Sequence, residues 1–272
     1  MKLGLAISMQ NDLPEKLTWA KENGFDEIQL QLWDMSHFCD EHAEMVKGLL
    51  AERQLKCTSL WCGWHGPISW TFTKGPEVLG LVPCEYRASR TKNLLEGARY
   101  ARILGVKEIV THLGFVPMNP MDRDYIGVVN ALIYITDELK KYGQSFGMET
   151  GEEPPIVLKR LIEDVGSDNL FVNYDPANLM MYGNANPIDG LQTIGQYVRT
   201  VHAKDGSYPT TGYELGLEYP IGKGDVNMPK FIEALRKIGF DGTLFIEHEI
   251  EVGNSQQQQE ILAGKEYLEK LL

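Results

Sequence analysis

The chain has 272 residues, 43% of them hydrophobic, and a formal net charge of −12 at pH 7. This charge argues against a nucleic-acid backbone as the main partner, because proteins that bind one usually present a basic face. No apolar run approaches the roughly 18 residues that a membrane-spanning helix needs. The four cysteines form no CxxC pair, a pattern typical of reduced thiols in a cytoplasmic protein.

Short apolar runs alternate with longer amphipathic segments along the whole chain. The apolar runs predict strands over 3–8, 27–32, 56–62, 108–114, 145–150, 170–175, 198–203 and 243–248. The amphipathic segments predict helices over 13–23, 40–53, 86–104, 121–142, 155–165, 187–196, 228–238 and 256–271. Eight such pairs indicate parallel strands with right-handed crossovers. A doubly wound open sheet has the same alternation, but no glycine-rich dinucleotide turn follows the first strand. We therefore expect one α/β domain over 1–272, a closed (β/α)₈ TIM barrel.

Two connections are longer than the others, and both follow strands. Residues 63–85 follow the third strand and residues 204–227 follow the seventh. In a barrel of this kind, loops after strands form the catalytic face. Near the first of these loops, Trp33 and Trp64 are candidates to pack against the C–H faces of a sugar, although tryptophans also fill barrel interiors. His65, in the same loop, is a further candidate for binding substrate.

Four polar residues lie at the downstream ends of the last four predicted strands. They are Glu149, Asp175, His202 and Glu247. Each one alone could be a helix cap, a salt-bridge partner or a buried histidine, but four in equivalent places predict convergence. Three carboxylates and one imidazole suit Mn²⁺, Mg²⁺ or Co²⁺ better than a thiolate-seeking metal. We therefore predict a metal site made by half of the barrel mouth, with the other half open to a substrate.

The two glutamates of this set predict a reaction type. The fifth and eighth strands are three positions apart in a ring of eight, so Glu149 and Glu247 could flank a bound molecule. This arrangement suits proton transfer at a carbon next to a carbonyl, where a cation would stabilise the charge of the enediolate.

Several neighbouring residues are weaker candidates. His112 ends the fourth strand and could donate a hydrogen bond to a substrate hydroxyl. Lys204 lies two residues after His202, so its side chain should point to the same side of the strand and bind an anionic group. We expect Glu152 and Glu153 to open the fifth helix, where the helix dipole favours negative charge, and Asp225 to cap the seventh.

Five short segments resemble the xylose-isomerase-like sugar phosphate isomerase/epimerase superfamily. They read Met148-Glu-Thr-Gly151, Asn173-Tyr-Asp-Pro-Ala-Asn178, Val201-His-Ala-Lys-Asp205, Pro220-Ile-Gly-Lys-Gly-Asp225 and Ile246-Glu-His-Glu249. The resemblance spans essentially the whole chain. It implies a TIM barrel with one divalent metal ion, Mn²⁺ ahead of Mg²⁺, Co²⁺ or Zn²⁺, held by the four strand-end residues. In the ketose 3-epimerase branch, the two glutamates are also the acid/base pair.

The superfamily also contains lyases and zinc-dependent apurinic endonucleases. The endonucleases hold three zinc ions with additional histidines; His65 and His112 match two of these, but Asn178 stands where both they and the 3-epimerases tend to carry histidine. The resemblance therefore implies a metal-dependent isomerase or epimerase of a small keto sugar, with Asn178 near the substrate. A dehydratase or β-eliminating lyase is the alternative, and a nucleic-acid hydrolase is disfavoured. The pattern leaves a homo-oligomer open.

Overall fold

The computed structural model describes residues 1–250 and 252–272, and its main feature is a closed barrel of parallel strands. The order around the barrel is β1-β10-β7-β6-β5-β4-β3-β2, and every neighbouring pair is parallel. The barrel strands are β1 (Lys2–Ser8), β2 (Glu27–Leu32), β3 (Lys56–Cys62), β4 (Glu108–His112), β5 (Ser145–Glu149), β6 (Leu170–Tyr174), β7 (Val198–Ala203) and β10 (Thr243–Ile246). The predicted TIM barrel is confirmed.

Helices surround the barrel and connect its strands. They are α1 (Leu13–Glu22), α2 (Asp40–Glu52), α3 (Gly75–Val78), α4 (Cys84–Leu104), α5 (Arg123–Lys140), α6 (Pro155–Val165), α7 (Pro176–Met181), α8 (Pro187–Ile194), α9 (Met228–Lys237) and α10 (Ser255–Glu269). The short helices α3 and α7 were not predicted, nor was a two-stranded antiparallel ladder of β8 (Asp205–Gly206) and β9 (Glu218–Tyr219). Within the described part of the chain, no helix combines the length and apolar character needed to cross a membrane.

The capping prediction for α9 was wrong. Asn227, not Asp225, occupies the N-cap position, and its side chain accepts a hydrogen bond from the backbone N–H of Lys230 at 3.4 Å. Asn227 has φ +56°, in the left-handed region that asparagine tolerates better than most residues. The backbone therefore changes direction at Asn227, two residues after Asp225, before the helix begins.

The barrel interior is filled by large side chains opposite glycines. A Cβ atom at Gly147 would lie 2.6 Å from the ring of Phe171, and one at Gly4 would lie 2.7 Å from the ring of Phe245. Both phenylalanines are fully buried. The barrel interior below the strand-end residues is thus filled by aromatic packing.

Two strand pairs change register inside the barrel. Between β2 and β3 the shift falls at Gln29, which pairs with Ser59, and between β6 and β7 it falls at Asn173, which pairs with Thr200. Such a shift inserts one unpaired residue and re-aims the side chains that follow. Each of these pairs is also joined through its side chains, by Gln29 Nε2 to Ser59 Oγ at 3.2 Å and by Thr200 Oγ1 to Asn173 Oδ1 at 2.6 Å.

The long connection after β3 is organised by one buried arginine. Arg90 of α4 donates hydrogen bonds to the carbonyl oxygens of Val78 and Gly80 at 2.7 Å each, and to that of Pro67 at 2.9 Å. Its guanidinium also lies 5.3 Å from the ring centre of Trp64. Because these contacts reach several points of the loop, Arg90 holds the loop against the barrel mouth.

The connection after β7 is organised by a buried carboxylate. Asp205 accepts hydrogen bonds from the backbone N–H groups of Gly206 and Gly222 at 2.9 Å, and from those of Gly224 and Val226 at 3.1 Å. A Cβ at Gly224 would lie 2.3 Å from Asp205 Oδ1, so the close approach requires glycine. Residues 205–226 are thereby tied into a compact loop beside the barrel mouth.

Replacement of Arg90 tests its role in the loop. We expect Arg90→Met to lower the free energy of unfolding by about 3 kcal/mol, because several buried carbonyl groups lose a charged donor. The matched control is Arg99→Met on the same helix, where a half-exposed arginine pairs with Asp40 and the loss should stay below about 1 kcal/mol. Urea denaturation measures both; equal losses would contradict the assignment.

Candidate metal centre

The four strand-end residues meet at the upper end of the barrel. Glu149 ends β5, Asp175 caps α7 directly after β6, His202 lies in β7, and Glu247 follows β10. One potential ligand atom from each residue lies within 4.8 Å of the others, and all four residues are buried. The convergence predicted from their position on consecutive parallel strands is therefore present.

The centre of this group is the Nδ1 atom of His202. It lies 2.9 Å from Glu149 Oε1, 3.1 Å from Glu247 Oε2 and 3.5 Å from Asp175 Oδ2. His202 Nδ1 and Asp175 Oδ2 are both buried without a well-formed hydrogen bond to any residue that the structure describes. Two buried polar atoms in this condition call for a partner that the side chains do not supply.

The other nitrogen of His202 faces two amide side chains, one from β2 and one from the neighbouring strand β6. Its Nε2 lies 2.7 Å from Gln29 Oε1 and 3.2 Å from Asn173 Nδ2. The nearer partner is a carbonyl oxygen, so Nε2 carries the hydrogen and donates it. The lone pair of the neutral ring is then on Nδ1 and directed at the three carboxylates, the arrangement found in metal-binding histidines.

The charges at this centre favour a cation. Burial alone would lower the pKa of His202, but Glu149 and Glu247 raise it well above its usual value. Without a metal ion, the imidazole therefore binds a proton to balance the carboxylates. Three carboxylates and one imidazole form a donor set that fits a single divalent cation, and these four residues would hold it.

Glu149 is positioned by three further side chains. Its Oε2 accepts a hydrogen bond from the indole N–H of Trp61 in β3. Its Oε1 lies 3.5 Å from His112 Nε2 and 3.3 Å from Asn178 Nδ2. One oxygen of Glu149 thus faces His202, and the other faces the opposite wall.

The two carboxylate oxygens of Glu247 likewise face different partners. Its Oε1 accepts a hydrogen bond from Gln31 Nε2 in β2 at 2.5 Å, and its Oε2 accepts one from Lys204 Nζ at 3.1 Å. Lys204 also donates to Glu249. Burial would lower the pKa of Lys204, but Glu247 and Glu249 raise it well above its usual value, so the ammonium remains charged.

His112 carries a third buried positive charge, after those of His202 and Lys204. Its Nδ1 lies 3.0 Å from Glu152 Oε2. Burial would lower the pKa of His112, but Glu149 and Glu152 raise it to about 10. The prediction that Glu152 and Glu153 open a helix was wrong, because α6 begins at Pro155 and both glutamates are buried in the preceding loop.

A cavity of about 280 Å³ opens above these residues. Its walls include Gln31, Trp33, Trp61, Trp70, His112, Asn178 and Lys204, together with both glutamates of the centre. Trp33 and Trp61 pack with ring centres 4.7 Å apart. Predicted substrate-binding residues on these walls are therefore Trp33, His112, Asn178 and Lys204.

Two residues predicted to bind substrate lie elsewhere. Trp64 is buried behind Trp33, with ring centres 5.5 Å apart, and does not line the cavity. His65 is exposed and its Nδ1 lies 2.6 Å from Asn93 Oδ1, so its placement at the site was wrong. The reason is the same for both: β3 ends at Cys62, and in the loop that follows strand periodicity no longer predicts the direction of a side chain.

Sequence reasoning missed the two glutamines that support the centre. Gln29 and Gln31 lie two residues apart on β2, so both point into the barrel. Polar and apolar residues alternate along this strand (Glu27-Ile-Gln-Leu-Gln-Leu32), and this pattern could have identified the two glutamines.

The comparison with protein families agrees with this geometry. The model of the family described as xylose isomerase-like TIM barrel matches residues 17–271. The chain belongs to that family. Its fold and the predicted superfamily resemblance are thereby confirmed.

Three known proteins resemble this chain to different degrees. A crystal structure of a xylose isomerase domain protein from Planctomyces limnophilus is 31% identical, covers 99% of this chain and 96% of its own, and has a TM-score of 0.93. An uncharacterised protein of Methanocaldococcus jannaschii is 30% identical over 175 residues, which span 59% of this chain but only 56% of that relative. A D-tagatose 3-epimerase-like protein shares the fold, with 22% identity, coverage of 100% and 98%, and a TM-score of 0.74.

Metal binding tests the centre directly. We expect Mn²⁺ to bind at one ion per chain and to raise the thermal midpoint, because it binds only the folded centre. His202→Ala should weaken binding by more than about 100-fold, since even outer-shell partners contribute 10- to 100-fold. The matched control, His65→Ala, removes a histidine outside the cavity. Calorimetry measures both variants; unchanged binding in His202→Ala would contradict the assignment.

The raised pKa of His202 predicts how metal binding depends on pH. The ion must displace the proton that the free centre holds, so each ion bound releases about one proton and affinity falls about tenfold per pH unit on acidification. Titrations in buffers of different ionisation enthalpy measure this release. Identical heats in all buffers would show that Nδ1 carries no proton in the free protein.

Proposed function

We propose that the protein is a divalent-metal-dependent isomerase or epimerase of a small keto sugar or sugar derivative. One observation carries the proposal: Glu149 and Glu247 flank a single cavity, and each divides its oxygens between His202 and a donor on the far wall. Two carboxylates placed in this way suit proton exchange at opposite faces of one carbon. Membership of the xylose isomerase-like family supports the same reaction class.

The two glutamates would act as the acid/base pair. Burial would raise the pKa of both carboxyl groups, but His112 and His202 lower that of Glu149, and His202 and Lys204 lower that of Glu247. Both are therefore ionised in the free protein, and the first step is removal of a substrate proton by one of them. Glu247 must be protonated before it can return a proton, and Lys204, which donates to it at 3.1 Å, can pass it one. The proton taken up by Glu149 is then released to solvent while Lys204 takes one up, which restores the starting charges.

The remaining residues position these groups and the sugar. Trp61 and Gln31 hold the outward oxygens of the glutamates and thereby fix their orientation. Trp33 and Trp70 offer ring faces to the C–H groups of a sugar. A bound divalent cation, Mn²⁺ in our proposal, would supply positive charge beside the substrate carbonyl oxygen.

The described residues do not support a nucleic-acid hydrolase. They contain one group of His, Cys, Asp or Glu side chains that is close enough to hold a metal, and Asn178 contributes an amide beside Glu149. A centre of three zinc ions would require further ligands. The negative net charge of the chain also argues against binding to a nucleic-acid backbone.

Solvent deuterium exchange tests the proposed reaction. We expect Mn²⁺-loaded protein to incorporate deuterium at one carbon of a keto sugar from a panel, with no change in the carbon skeleton. Glu149→Gln and Glu247→Gln should each reduce the rate by about 10²- to 10⁴-fold, the usual contribution of general acid–base groups. Glu138→Gln, on the outer surface of α5, is the control.

Mass spectrometry of the product separates isomerisation from elimination. A product lighter by one water or by an aglycone would replace the proposal with a lyase reaction at the same centre. Full exchange rates in both glutamine variants would refute the acid/base assignment.

A further inference from the structure

A second cavity of about 500 Å³ adjoins the one above the metal centre. It lies between β1, the start of α1 and the start of α10. The two cavities share Gln31, Trp33, Glu247 and Glu249 as walls. A molecule at the metal centre could therefore extend past Trp33 into the second space without leaving the barrel mouth.

The sizes of the two cavities suggest that each holds one ring of the same molecule. Binding pockets for small molecules usually measure about 300–1,000 Å³. The first cavity, at about 280 Å³, is just below this range and suits one sugar unit. The second cavity is larger, although the proposed proton transfer takes place entirely in the first.

The walls of the second cavity are suited to a sugar ring. Trp19 and Trp33 provide indole surface, against which the C–H face of a pyranose can pack. Ser8, Gln10 and Gln258 provide neutral donors and acceptors for hydroxyl groups. Ser8 pairs in register with Gln31, whose side chain reaches Glu247, so Ser8 points toward the same mouth.

The charges around the second cavity argue against an anionic group such as a phosphate. Its described walls carry four carboxylates, those of Asp12, Glu15, Glu247 and Glu249. The basic side chains among these walls already have acidic partners: Lys16 pairs with Asp12 at 2.9 Å, and His248 Nε2 lies 2.7 Å from Glu260 Oε2. The first amides of α10 are likewise engaged, because Asn254 accepts hydrogen bonds from the backbone N–H groups of Gln256 and Gln257.

We propose that the second cavity binds an uncharged sugar ring, so that the substrate is a glycoside whose keto sugar lies at the metal centre. This inference rests on the proposed function for the position of the keto sugar. The second ring stacks on indole surface and is held by neutral hydroxyl contacts. The substrate class is thereby narrowed from sugars in general to unphosphorylated glycosides.

Calorimetry on Mn²⁺-loaded protein tests this inference with three probes. D-Fructose is a keto sugar alone; lactulose and isomaltulose are fructose with a second ring on C4 or on C6. We expect at least one disaccharide to bind about tenfold or more tightly than D-fructose, which corresponds to about 1.4 kcal/mol.

Two variants reduce the second cavity. Gln258→Trp fills it from the exposed side of α10, and Glu15→Trp fills it from the exposed side of α1. Each should weaken binding of the preferred disaccharide about tenfold and leave D-fructose within about twofold. Gln192→Trp, an exposed position of α8 outside both cavities, is the matched control.

The outcomes distinguish this inference from the proposed function. Failure of both disaccharides to bind more tightly than D-fructose, including no binding at all, would overturn the glycoside assignment. If both variants weakened the binding of D-fructose and of the disaccharide equally, that result would also overturn it. Preferred disaccharide binding without deuterium exchange would leave the second cavity assigned and refute the proposed reaction.

Discussion

Electrostatic repulsion among three buried carboxylates is the constraint on which the upper half of this barrel depends. Glu149, Asp175 and Glu247 surround one imidazole nitrogen at 2.9 to 3.5 Å. Like charges this close and this far from water are expensive unless positive charge or donors compensate them. The protonated His202, His112 and Lys204 supply part of that compensation in the free protein, and a divalent cation would supply it more completely.

The two halves of the barrel contribute different chemistry to this balance. Strands β4, β5, β6, β7 and β10 bring the charged groups, whereas β2 and β3 bring neutral donors through Gln31 and Trp61. Neutral donors orient a carboxylate without forming a strong ion pair, which would make the carboxylate a weaker base. The glutamates are therefore held in place yet remain available to a substrate proton.

The regular parts of the fold and site could be predicted from the sequence, because both depend on strand periodicity. Glu149, Asp175, His202 and Glu247 each mark a strand end, and the ends of parallel strands meet on one side of a barrel. The prediction was wrong for His65 and for the role of Glu152 and Glu153, which lie in loops where no periodicity relates sequence to direction. Loop conformation depends instead on distant anchors such as Arg90 and Asp205, whose partners are backbone groups with no sequence signature.

The two register shifts of the barrel have a consequence for how this centre could be transferred to other proteins. Both occur beside a residue that contacts His202 Nε2: one at Gln29 and the other at Asn173. Because a one-residue change in register moves a side chain to the other face of a strand, these shifts determine which side chains support the imidazole. If only the four ligand residues were grafted onto another eight-stranded barrel, the histidine ring would lack the contacts that orient it. The inserted residues of β3 and β7, Thr58 and Arg199, would have to be transferred as well.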